Sequence, residues 1–193
     1  VANFEDLISF CTGYGATYNP SKAAIQIASL NTLRTNAQDS ITGVNSSKTA
    51  FNNATNARQT AFDPLKKLCT KIVNALDATD ATDKLVKDAK NINNKIQGKR
   101  SGDKPTPPPA GATEATEDKT ISVSQQSYDS LIENFAKLIE LVSSEPTYTP
   151  NETELQVSTL TTNLGNLKTT NTAVINAYTN FSNSRITRNS ILY

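Results

Sequence analysis

Three aspartates at equal intervals, Asp77, Asp80 and Asp83, are the side chains whose spacing most nearly suggests chemistry. Hard cations such as calcium require several oxygen ligands, and carboxylates at i, i+3 and i+6 could supply three. The run nevertheless lacks the glycine and terminal glutamate of an EF-hand loop, so a solvated turn with a helix-capping aspartate is the plainer expectation. The chain has no histidine, which removes the commonest general base and the commonest neutral metal ligand. Cys11 and Cys69 are the only cysteines; a bridge between them and two separate buried thiols are both open readings. Gly13-Tyr14-Gly15 follows no strand pattern and lacks the further glycine of a phosphate-binding turn, so Tyr14 and Tyr18 are expected to pack a turn instead. No residue set fits a catalytic centre or a cofactor site, and the chain is expected not to be an enzyme.

The remaining polar candidates come in pairs. Arg58 and Arg188, and Asn53 and Asn183, stand 130 residues apart. They are expected to form an inter-helix hydrogen bond or salt bridge near the bundle end, with a clamp on a neighbouring helix or a ligand as the functional alternative. Lys66, Lys67 and Lys71 form the nearest approach to a basic patch, yet net charge is +1 and the charges are dispersed along the chain. Nucleic-acid binders concentrate lysine and arginine on one face, and that class is rejected. Four Asn-x-Ser/Thr triplets, at Asn45, Asn53, Asn151 and Asn180, follow from an Asn- and Thr-rich composition.

The elements that carry these residues repeat. Displacing the sequence by 130 positions brings residues 18–62 onto 148–192 without a gap. Tyr18, Pro20, Gln26, Leu30, Val44 and Phe51 then meet Tyr148, Pro150, Gln156, Leu160, Val174 and Phe181. One residue of slippage upstream places Asn3-Phe4 on Asn134-Phe135 and Leu7-Ile8 on Leu138-Ile139. Internal similarity of this kind marks a duplicated unit. Each copy is expected to open with a short apolar helix, Phe4–Phe10 or Tyr128–Val142. After a Tyr-x-Pro turn, capped by Ser21 or Asn151, a long helix should run to about Phe62 or Leu192. Apolar steps of three and four support these helices. Thr, Asn and Ser are weak helix formers, so the long helices should depend on packing.

Asp63-Pro64 is expected to cap a further helix, with 64–98 returning antiparallel along the first long helix. The expected domains are a first repeat over 1–100, a Pro-rich linker over 101–119, and a second, truncated repeat over 120–193. The fold expected is all-α: an elongated antiparallel helical bundle with helices of roughly 40 residues, or about 60 Å. Hydrophobic residues are only 36% of the chain, which suits narrow helical stripes better than a thick sheet core. No stretch is long and apolar enough for a transmembrane helix.

Ser124–Tyr193 carries SQQSYD, NF..LI, Y.PNE.ELQV and NSR..RN..LY in order. In this it resembles a family of bacterial proteins made of duplicated long-helix units. The resemblance implies a helical repeat fold, no activity, and no functional residue to carry over. The first copy departs from it, with Thr55-Asn56-Ala57-Arg58-Gln59 facing Arg185-Ile186-Thr187-Arg188-Asn189.

The functional expectation is a structural or protein-interaction bundle, with a protein partner or self-association. The alternative is a carrier holding a small apolar molecule or lipid between helices. A neutral Thr/Asn/Ser surface, a start at Val1 and the absence of Met and Trp point to a secreted, periplasmic or cell-surface setting. The unmatched ends of the two copies suggest a longer repeat protein.

Overall fold

The computed structural model describes residues 2–99 and 126–192, and the expected linker at 101–119 lies outside them. Among the described residues the structure is all-helical, with no strand. Among those residues lie six α-helices: α1 (Ala2–Gly13), α2 (Ile27–Phe62), α3 (Leu65–Asp77), α4 (Asp83–Gln97), α5 (Tyr128–Ser143) and α6 (Val157–Leu192).

Helices α2 and α6 each contain 36 residues, roughly 54 Å at 1.5 Å per residue. Their Thr, Ser and Asn side chains bond back to the helix rather than compete with it. Thr32, Thr35 and Thr49 donate to the carbonyls of Ala28, Asn31 and Asn45. Thr161, Thr162 and Thr179 do the same to Val157, Ser158 and Ile175. Such back-bonding satisfies the hydroxyl without breaking the ladder, at a small cost in helix stability.

The helix starts differ from expectation. Ser21 and Asn151 do not cap α2 and α6, because single 3₁₀ turns, Ala23–Ile25 and Thr153–Leu155, intervene. Nor does Asp63 cap α3. Its amide already donates to the Gln59 carbonyl at 2.9 Å, and Pro64 takes a helical conformation with no side-chain cap. Proline has no N–H to satisfy, so the chain crosses from α2 to α3 at little hydrogen-bonding cost. Side-chain caps appear instead at Thr82, which accepts from the Leu85 amide, and at Ser127, which accepts from the Ser130 amide. Gly98 ends α4 at φ 75°, a left-handed position that suits glycine.

The chain forms two compact units. The first comprises 1–57 with 172–193, the second 58–171. Each unit therefore draws on both halves of the sequence. In the first, α1 buries Ile8 and Cys11, and α2 buries Leu30, Ala37 and Val44. Phe51 of α2 stacks on Phe181 of α6, with ring centroids 6.2 Å apart, and tilts against Tyr178 at 5.7 Å. These phenylalanines are half-buried.

The second unit holds the large core. Leu65, Cys69, Ile72 and Leu76 of α3 join Ala89 and Ile96 of α4, Phe135, Leu138 and Val142 of α5, and Leu160 of α6. Helices α3 and α4 form an antiparallel hairpin. Gln97 near the end of α4 donates to the Lys66 carbonyl near the start of α3, and Lys90 pairs with Asp77. The expectation that 64–98 returns along the first long helix gives way to a hairpin laid on α5. The reason lies in apolar area, since α5 presents Leu131, Phe135, Leu138 and Val142 in one stripe.

Candidate functional site

Arg58 stands where three helices of the second unit meet. Its guanidinium carbon lies 3.9 Å from the centroid of the Tyr128 ring, the geometry of a cation–π contact. Its Nη1 donates to Asn171 Oδ1 at 3.1 Å, and Asn171 Nδ2 donates to Asp129 Oδ1 at 2.7 Å. Phe62 closes the group edge-on against Tyr128, with centroids 4.7 Å apart. Arg58 and Asp129 thus communicate through an amide rather than by direct ion pairing, and Asp129 sits in the first turn of α5, where a carboxylate is favoured. Arg58 Nε is buried without a hydrogen-bond partner. The arrangement is an inter-helix clamp joining the ends of α2 and α5 to the middle of α6.

The paired arginine does not repeat it. Arg188 donates through Nε and Nη2 to the adjacent Asn189, at 3.2 and 2.8 Å. Asn53 and Asn183 are exposed and belong to no such clamp. The polar residue that completes the Arg58 clamp is Asn171, which the sequence reading passed over. Its counterpart 130 positions earlier is Ile41, so an asparagine replacing an apolar residue on the stripe was the available signal.

The other candidates fall apart chemically. Asp77 pairs with Lys90 at 3.0 Å, and Asp83 lies in the first turn of α4. Among the described residues no three His, Cys, Asp or Glu side chains gather as a metal-holding group. Cys11 and Cys69 are both buried free thiols, so no bridge joins them. Burial pushes the Cys69 thiol up to about 12, leaving it protonated and unreactive. Tyr14 is exposed and packs no turn, but Tyr18 does, donating to the Ile25 carbonyl at 2.7 Å. Tyr148 donates to the Leu155 carbonyl at 3.0 Å. Burial, with Glu152 adding a smaller effect, raises the Tyr148 phenol to about 12.

A groove of the second unit has a volume of about 570 Å³ and is lined by Pro64, Leu65, Leu68, Phe135, Lys71 and Glu154, among others. Lys71 and Glu154 pair at 2.5 Å, both about half exposed. Among the described residues no helix is long and apolar enough to cross a membrane. Among the described residues large apolar groups lie open on the surface of the first unit: Leu7 is 49% exposed, Phe10 69%, Ile25 43% and Ile186 64%. Comparisons with protein-family models, curated proteins and solved structures yield no match.

Proposed function

We propose that this chain is a non-enzymatic helical interaction protein, built from two copies of one long-helix unit, that offers apolar surface to another protein or to further copies of itself. The observation that carries the reading is the distribution of exposed large hydrophobic side chains. Leu7, Phe10, Ile25, Leu33, Ile175 and Ile186 all fall in the first unit, as do the other exposed large apolar residues among the described residues. Leu7 and Phe10 stand three residues apart on one face of α1, and exposed apolar patches mark interaction sites in folded proteins.

Support for the two copies comes from elements that recur 130 positions apart. The 3₁₀ turns Ala23–Ile25 and Thr153–Leu155 correspond, as do helices Ile27–Phe62 and Val157–Leu192. Tyr18 and Tyr148 each donate to the carbonyl seven residues ahead. Leu30, Ala37 and Val44 are buried, and so are Leu160, Leu167 and Val174. The carrier alternative has less support, because the groove beside α3 is open to solvent and sets an exposed ion pair and two asparagines among its apolar walls of Leu65, Leu68, Phe135 and Leu167. A secreted, periplasmic or cell-surface setting fits the Thr/Asn/Ser-rich surface; fractionation of the native host would check it.

Size-exclusion chromatography with light scattering tests the interaction reading. The intact chain should show concentration-dependent association that Leu7→Ser with Phe10→Ser abolishes. A monomer at every concentration, together with no partner competed by those substitutions, would falsify it.

A further inference from the structure

The same helix is packed on two sides in one place and on one side in the other. Displaced by 131, α1 aligns with α5 so that Phe4, Leu7, Ile8 and Cys11 meet Phe135, Leu138, Ile139 and Val142. One flank is buried in both helices: Ile8 is 5% exposed and Ile139 7%. The other flank differs. Leu138 is fully buried and Leu7 is 49% exposed; Phe135 is fully buried and Phe4 only partly so. On α5 that flank belongs to a core completed by Leu65, Cys69 and Ile72 of α3 and by Val86 and Ala89 of α4. The structure itself thus displays the kind of element that covers this flank.

We propose that the open flank of α1, formed by Phe4, Leu7 and Phe10, is a docking surface for a basic amphipathic two-helix hairpin of the α3–α4 type, supplied by another repeat of this kind. The inference rests on the reading of the chain as two copies of one unit. Charge agrees with it. Helix α1 carries Glu5 and Asp6 and no basic residue, whereas α3 and α4 carry seven lysines against three aspartates. The apolar stripe supplies the burial, and the opposite charges favour encounter and orientation. The hairpin already present is committed to α5, so the occupant is a second hairpin.

A labelled peptide of residues 63–99, titrated into the intact chain and followed by fluorescence anisotropy, tests the proposal. Saturable one-to-one binding is expected, weakened roughly tenfold or more by Leu7→Asp or Phe10→Asp. Both positions are exposed, so those variants keep the fold. A peptide with Ile72→Asp should not bind. Hydrogen exchange on the mixture should slow the amides of α1 and leave those of α5 unchanged. Protection appearing on α5 instead would mean exchange with the resident hairpin and would overturn the proposal. If the free peptide pays too much ordering entropy to bind, fusing it through a flexible linker ahead of Val1 makes docking intramolecular. Unchanged α1 exchange in that fusion sinks the idea outright. Should the chain then still self-associate through Leu7 and Phe10, the interaction reading survives and the hairpin does not.

Discussion

At the scale of single residues, the Arg58 clamp shows how one guanidinium can serve three helices through a ring and an amide. Replacing Arg58 by Ala removes the cation–π contact and leaves Asn171 Oδ1 without that donor, and should cost about 1–3 kcal/mol in urea unfolding. Arg188→Ala, on the same scale, should change stability by less than about 0.5 kcal/mol, because Arg188 bonds to its neighbour in the chain. The buried phenol and thiol make an alkaline prediction. For an acid whose folded pKa is raised, the unfolded state loses its proton first, so stability is complete below the unfolded value and falls as pH climbs to the folded one. Cys69 sets this window at pH 9 to 12 and Tyr148 at pH 10 to 12. Thermal melts across pH 8–12 should show the decline, and Tyr148→Phe should lessen its upper part. A Tyr148→Phe profile that overlays the wild type would refute the assignment.

At the scale of elements, the glycines inside the long helices are points where the sequence has left stability unused. A Cβ placed on Gly43 or Gly165 would meet nothing within 4 Å. Gly43→Ala and Gly165→Ala should therefore each stabilise by about 0.5–1 kcal/mol, read as a rise in unfolding midpoint. A second contrast concerns α1 and α5. Leu138→Ala should cost about 2–5 kcal/mol because the side chain is fully buried. Leu7→Ala, at the aligned position, should cost far less, since Leu7 stays half exposed. Equal losses at the two sites would contradict the difference in burial. The helix starts carry a related lesson. Serine and asparagine after a proline turn suggest caps, yet the tyrosine-to-carbonyl bonds of Tyr18 and Tyr148 accompany a 3₁₀ turn that delays each helix to residues 27 and 157.

At the scale of the whole chain, the two units differ in what they bury. Among the described residues every large side chain that is fully buried, from Leu65 to Leu160, belongs to the second unit. The first unit buries single residues such as Leu30 and Val44 while leaving Leu33 and Ile186 open. Native-state hydrogen exchange should give the slowest amides in α3, α4 and α5, and faster exchange through α1. Uniform protection across α1 and α5 would show that burial is a poor guide to local stability here.

What the sequence by itself determined is the helical content, the near-boundaries of the long helices and the correspondence of residues 18–62 with 148–192. Those follow from local periodicity and from comparing like with like along the chain. It also held the signal for a clamp at Arg58, but not for its partners, because Tyr128, Asp129 and Asn171 come together only through folding. The likeness of Arg58 to Arg188, and of Leu7 to Leu138, concealed opposite environments. Tertiary structure alone decided that the 65–97 hairpin covers α5 while the outward flank of α1 stays open. An apolar stripe specifies that a face must be buried, not which of several apolar faces will bury it, and that choice is made by area and shape once the helices meet.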